Sequence, residues 1–324
     1  MRKMLCMSLK NNNLRLPYQN YYDMHNIKTN FDKVFNICKL YSKDLVNENG
    51  NIPRRGTVPK FSDLEVIALS ITSEALGIDS ENYLFSKLNT DYKNQFPNLV
   101  SRRQYNDRRK LASNLLSIIR ERLAHKVDEF EDIFTVDSKP YPICKLSRMK
   151  RCKLGKENID KSPDVGYCAS QDTYYYGYKL HAIASISGVI HSFDLSKASV
   201  HDIHYLNDIR MDMSNCTLIG DKAYLNKEIQ LDLFNSANIS LEVPMRINQH
   251  NYKPYFPLFK KVRRRIETVF SQLDDQFMLV RNYAKDTKGL FTRVLSKISA
   301  LTILQYINKF INNQPIGKVK HALC

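Results

Sequence analysis

The sequence predicts a mixed α/β fold, a central sheet flanked by helices, with a helical region in front of it. Three observations carry that prediction. Apolar residues recur at intervals of three and four from Phe31 to about residue 125. Short apolar runs bounded by turn residues take over from about residue 131. Helical spacing then returns at Val262 and again near 290, and strands followed by helices in this order pack as layers.

The bulk numbers suit a globular protein. At 324 residues the chain is long enough for one large domain or two medium ones with a sizeable core. Apolar residues make up 43% and charged residues 25%, outside the range of disordered chains. The unusual figure is the charge: 49 Lys and Arg against 33 Asp and Glu give +16, which favours a polyanionic partner, nucleic acid or an anionic membrane surface. No run approaches the roughly 18 apolar residues that span a bilayer, and the apolar stretch of MRKMLCMSL is too short for a secretory signal. Seven cysteines (6, 38, 144, 152, 168, 216 and 324) form no CxxC pair, so they are expected as reduced thiols of a cytoplasmic protein.

Residues 1–27 show little periodicity and read as an arm. The set Phe31, Val34, Phe35, Cys38, Tyr41 and Leu45 makes a helical face, and the Gly- and Pro-containing stretch 47–60 makes a loop. Ser62 and Glu65 form an S-x-x-E capping box, with Phe61 and Val66 as its hydrophobic staple. A helix over 63–75 follows, stopped by Gly77; a short helix covers 81–89, and a third runs from Ser101 through 126. That third helix opens with Arg102, Arg103, Gln104, Asn106, Arg108, Arg109 and Lys110. Its residue types suit a helix-turn-helix that reads base edges and phosphates, or else a solvated basic face.

From 131 the strands begin. IFTVD (133–137) is a buried strand, and 174–186 and 189–195 are two strands joined by a tight turn at Gly188. A helix opens at Ser199. CTLIGDKAYL (216–225) is a strand running into a loop or helix, and 238–245 is a further strand. Val262, Ile266, Val269, Phe270, Leu273 and Phe277 keep helical spacing, and a last helix covers about 290–312. The expected domains are a helical DNA-binding region over 28–130, an α/β domain over 131–312 and a tail over 313–324.

Metal-assisted phosphoryl transfer needs carboxylates converging on one point, where hard cations such as Mg²⁺ activate a hydroxyl and stabilise a leaving oxygen. Asp137 closes the run IFTV, and Asp221 follows TLI and Gly220, so both fall at the tips of apolar strands; each equally suits a cap or turn. Glu267 stands in KKVRRRIETVF, where five positive charges precede one carboxylate. At 100° per residue it lies about 110° from the centre of the apolar stripe, on its shoulder. An i,i+4 ion pair with Arg263 is the plain alternative.

The order TVDSKP, YYYGYKLHAIASISGVIHSFDLSKASVHD, LIGDKAYL and RRRIETVFSQL resembles the DDE transposases of bacterial insertion sequences, most closely the group numbered 982. The resemblance covers about 61–305. It implies a ribonuclease H-like catalytic core in which Asp137 ends the first strand, Asp221 the fourth, and Glu267 lies on the helix after the fifth. It further implies that these three acids, 84 and 46 residues apart, bind two Mg²⁺ ions, with Mn²⁺ as a substitute. One departure is visible: Asp274 stands where many relatives carry Lys or Arg. The same resemblance implies double-stranded DNA as partner, terminal inverted repeats and target alike, and a homodimer that joins two ends in the bacterial cytoplasm, at the nucleoid.

Basic runs flank the outer acids. Residues 139–161 carry eight Lys or Arg against Glu157 and Asp160, as a loop beside Asp137; from 250 onward the balance is 14 to four. Arg102, Arg103, Arg108, Arg109, Lys150, Arg151, Lys153, Lys222, Arg263 and Arg264 are the expected DNA contacts, mostly to phosphates. His201 and Asp202 could suggest a metal-dependent phosphohydrolase, but that fold is all-helical and this pair follows strands. A structural role for Asp202 at a helix start fits better. Tyrosine recombinase and relaxase chemistries lack their constellations here. A transposase-derived binding protein and a plain nuclease remain as alternatives.

Overall fold

The computed structural model describes residues 26–245, 254 and 256–323; the expected arm lies almost wholly outside them. Five helices come first: α1 (Ile27–Leu40), α2 (Asp63–Ala75), α3 (Glu81–Asp91), α4 (Arg102–Leu111) and α5 (Ser113–Val127). The capping box at α2 forms in both directions: the Glu65 amide donates to Ser62 Oγ at 3.1 Å and the Ser62 amide to Glu65 Oε2 at 2.6 Å. The staple residues Phe61 and Val66 are buried beside it. The long third helix of the sequence reading is two helices. The chain breaks at Ala112, and the Ser113 hydroxyl donates back to the Lys110 carbonyl at 2.9 Å.

A six-stranded mixed sheet follows: β1 (Ile133–Cys144), β2 (Asp164–Cys168), β3 (Thr173–Ser185), β4 (Ile190–Lys197), β5 (Cys216–Ile219) and β6 (Ile239–Glu242). Its order is β2-β3-β1-β5-β6, with β4 sharing the outer edge of β3. The first three long strands are antiparallel, while β5 and β6 run parallel to β1. The helix expected to open at Ser199 forms later in the chain, as a short 3-10 turn over Asp202–Tyr205 and then α6 (Leu206–Asp212); with α7 (Lys227–Ala237), which the sequence did not resolve, it connects the later strands. The chain then forms α8 (Pro257–Asp275), with Pro in its first turn, and α9 (Thr287–Phe310).

Alternation along the strands divides the core in two. Phe134, Val136, Ile183, Leu218 and Ile239 face α6 and α7 with Tyr205, Leu206 and Leu233. Leu180, Ala182, Ala184 and Ile190 face the other way, onto Ile266, Val269 and Phe270 of α8 and onto α9. Helix α9 is buried on all sides, as expected of a helix apolar around its whole circumference. It packs against the sheet layer and also against α2 and α5. Packing therefore crosses residue 130, where the sequence changes from helix to strand. The buried pair Lys297–Glu74 (2.6 Å) joins α9 to α2, and Lys297 also donates to the Phe277 carbonyl at 2.5 Å. The expected tail is packed too, with Val319, Ala322 and Leu323 buried.

This is a ribonuclease H-like core preceded by a helical region. One turn shows how tightly helix and sheet are joined. Gly188, at φ +92°, closes the β3–β4 hairpin where a side chain would collide with Arg265. Arg265 donates through Nε and Nη2 to the Ser187 carbonyl at 2.9 and 2.5 Å, fixing α8 to that hairpin.

Candidate active site

Asp137 is not at the tip of its strand. It pairs with Ala182 in the middle of β1, which continues to Cys144 because β3 remains beside it. What ends near Asp137 is the parallel partner. The last β1–β5 pair is Thr135 with Ile219, and Asp221 stands as far beyond Ile219 as Asp137 beyond Thr135. Asp221 keeps extended backbone, so the register brings the two acids to the fork where β5 leaves β1. Opposed residues share a face, and Ala182 belongs to the core under α8, so Asp137 projects toward the helix that carries Glu267.

Gly220 allows the fork to be this narrow. A Cβ there would meet Tyr224, Val136 and Val243 at 3.2–3.3 Å. Asp221 accepts from the Ala223 amide at 2.7 Å through Oδ1 and starts the one-turn helix Lys222–Tyr224. The cap reading and the site reading thus describe one residue.

The electrostatics show the acids sensing one another. Burial pushes the Asp137 carboxyl up to about 6, and the charges of Asp221 and Glu267 push the same way. A 2.8 Å bond from the Ser138 amide and the nearby Arg263 guanidinium pull against that rise. Beneath the fork, the buried Tyr224 phenol is pushed far up by burial and then by Asp202, Asp137 and Asp221. Its hydroxyl has no hydrogen-bond partner among the described residues. Glu267 is exposed on α8, and among the described residues no ion pair joins it to Arg263.

The three carboxylates are hard oxygen donors, and Asp137 among them is half-buried and raised by burial despite the nearby Arg263, so their chemistry fits divalent ions. Among the described residues, however, no group of three acids, histidines or cysteines is gathered closely enough to enclose a metal. The acids share a field and are not drawn into one coordination sphere.

The surrounding residues fall into two classes. Lys139 on β1 pairs with Asp274 on α8, so the acid that departs from the resemblance ties the two elements together. Lys179 donates to Asp202 at 2.9 Å and to the Val200 carbonyl at 2.7 Å, the structural role expected of Asp202. His181, buried and stacked on Tyr205 at 5.0 Å, is pushed down to about 4 by burial. Neither the Lys139–Asp274 tie nor the Tyr224 position has a local sequence signal, since each joins distant segments.

Two expected DNA contacts are engaged inside the fold. Arg108 donates to the Phe61 carbonyl (2.5 Å) and to Asp63 (2.6 Å), and Arg109 is buried against Glu81 at 2.8 Å. Their guanidinium forks hold the helical region together, which corrects the reading of α4 as basic along its length. Arg102 and Arg103 are exposed at the α4 N-terminus. Lys150, Arg151, Lys153, Lys222 and Arg264 are exposed as well, while Arg263 is half-buried, its Nε without a hydrogen bond among the described residues. The basic segment after Asp137 is anchored rather than loose: β1 extends to Cys144, Leu154 is buried, and the Tyr178 hydroxyl donates to the Lys161 carbonyl at 2.7 Å.

No curated protein matches the chain. Among solved structures, the chain is similar to the Mos1 transposase paired-end complex with left transposon end. The identity is 15%, over 87% of this chain and 98% of that one, with a TM-score of 0.22, and at that score the likeness adds no argument. The family model described as the transposase DDE domain matches residues 128–303, a span that contains all three acids. The chain belongs to the DDE-domain transposases.

Proposed function

We propose that the protein is the transposase of an insertion sequence of the 982 group, and that it cuts and joins DNA at a site built from Asp137, Asp221 and Glu267. The observation that carries this reading is the strand register. It sets Asp137 and Asp221 at one fork on the α8 side of the sheet, and Asp137 responds to both other acids. In this reading the three acids hold two Mg²⁺ ions, or Mn²⁺. Held there, the ions would supply Lewis acidity for activating water or a 3′ hydroxyl and for stabilising a leaving oxygen. The Ser138 and Ala223 amides each donate to Oδ1, of Asp137 and of Asp221, so in this reading the Oδ2 atoms would be the ones offered to a metal. No protein nucleophile is needed.

The helical region would bind terminal inverted repeats, led by Arg102 and Arg103 at the α4 N-terminus. Lys150, Arg151, Lys153, Lys222, Arg263 and Arg264 would contact phosphates near the acids. The proposed division is a helical DNA-binding region over 28–130 and a catalytic domain over 131–312. Two copies would bring two ends together at the bacterial nucleoid. No helix of the described residues is long and apolar enough to cross a membrane.

The separation of the acids favours one second reading, a transposase-derived binding protein that no longer cuts. Supercoiled plasmid carrying the element ends, incubated with the protein and Mg²⁺, separates the readings. Cleavage at both ends with joined products supports the transposase. Binding without cleavage supports the second reading, and cleavage without joining supports a plain nuclease.

A further inference from the structure

A polar cavity of about 650 Å³ opens between the helical region and the segment linking α8 to α9. Its lining includes Glu81, at the start of α3. Arg109 donates to Glu81 at 2.8 Å, Arg293 lies 3.8 Å from it and Arg102 4.0 Å. Asn106 donates two further bonds, at 2.9 and 3.1 Å. One carboxylate thus faces three guanidinium groups. Two of these, Arg109 and Arg293, are only 4% and 5% exposed, and the Nε of each has no hydrogen-bond partner among the described residues.

The other acids in the lining do not correct that surplus. Asp286 is engaged by Lys110 at 2.7 Å, and Asp79 lies 3.5 Å from Arg281 with its Oδ2 lacking a hydrogen bond among the described residues; Arg102, Arg109, Lys110, Lys285 and Arg293 still outnumber Asp79, Glu81 and Asp286 in the lining. Lys285 adds a further exposed cation at the rim. Uncompensated positive charge in a sheltered space is costly, and an anion entering the cavity removes the cost. Tyr283 stands at the mouth, 62% exposed, with the Arg293 guanidinium over its ring at 5.5 Å. A flat aromatic face beside cations suits a nucleic-acid strand better than a lone ion.

We infer that this cavity receives a phosphate of the DNA backbone, forming a composite contact between α4 and the segment joining α8 to α9. The inference rests on the transposase reading and deepens it. DNA held at the N-terminus of α4 by Arg102 and Arg103 would cross the cavity mouth onto Tyr283 and Lys285. The same connector follows the helix that carries Glu267, so seating the DNA there fixes its path toward the acids.

The test uses the full chain with the double variant Arg102→Ala, Lys285→Ala and duplex DNA bearing the element's inverted repeat. Arg210→Ala is the control, because Arg210 pairs with Asp232 on the α6–α7 side of the sheet. Association constants are measured by fluorescence anisotropy over a range of chloride concentrations. Two lost phosphate contacts lower the slope of log K against log salt by about two, and Arg210→Ala leaves it unchanged. An unchanged slope in the double variant, with normal DNA binding by the intact protein, overturns the inference and with it the Arg102 contact, and spares the reading of cutting and joining at the three acids. If the intact protein binds no DNA, both fall. Inorganic phosphate titrated calorimetrically into the intact protein separates the two sources of the anion. The inference predicts no saturable binding at submillimolar concentration; saturation there, with the DNA slope unaltered, assigns the cavity to a free anion instead.

Discussion

Replacing Asp137 by Asn should stabilise the metal-free protein while abolishing its chemistry. The carboxyl titrates near 3.8 in an unfolded chain and is pushed up to about 6 in the folded one. The shift is about two units, and each unit is worth about 1.4 kcal/mol, so ionised Asp137 costs at most about 3 kcal/mol. Partial exposure and screening reduce that to roughly 1–2 kcal/mol. Below pH 4 both states are protonated and there is no cost. As pH rises from 4 to 6 the unfolded state ionises first and stability falls; above 6 the whole cost is present. Asn cannot ionise, so Asp137→Asn should gain about 2–3 °C in melting temperature at pH 7.5 in a chelator. The gain should shrink by more than half at pH 4.5. Thermal unfolding followed by circular dichroism at the two pH values reads both quantities. A variant no more stable than the parent at pH 7.5, or a gain equal at both pH values, would refute the electrostatic account of the site.

Lys297→Ala leaves Glu74 buried without a partner and should cost about 3–5 kcal/mol in urea unfolding; Glu74→Leu with Lys297→Met should recover most of it. Gly220→Ala places a methyl against Tyr224, Val136 and Val243, so it should cost about 1–3 kcal/mol and slow cleavage by moving Asp221. Ser62→Ala removes the Oγ that accepts from the Glu65 amide, one of the two bonds of the α2 cap, and should cost about 1 kcal/mol, with DNA affinity unchanged.

How far the sequence could be read depended on how local each signal was. The α2 cap was legible because Ser62 and Glu65 satisfy each other's backbone within one turn. The hairpin at Gly188 and the apolar face of α8 were legible for the same reason. Asp137 was found but misplaced, because the length of β1 is set by β3, some 45 residues away, and not by its own apolar run. Strand β2 was missed: DVGYC has no alternating pattern and exists only because β3 offers it an edge. Arg108 and Arg109 read as DNA contacts because residue type does not reveal a partner, and Asp63 and Glu81 lie 45 and 28 residues upstream. Glu267 is the clearest case. Helical spacing alone placed it on the shoulder of a stripe, the family pattern made it a member of a triad, and the structure adds its influence on Asp137.

The central claim is that these three acids act together on DNA, and Glu267→Gln tests it most directly. The residue is exposed, so the variant should fold as the parent does. Single-turnover cleavage of inverted-repeat DNA with Mg²⁺ should fall by about a thousandfold or more, a loss of roughly 4 kcal/mol of transition-state stabilisation. DNA affinity measured beside it should stay within about twofold, since one uncharged contact alters the backbone field little. Cleavage at the parental rate by Glu267→Gln would contradict the account and remove the helix α8 acid from the site.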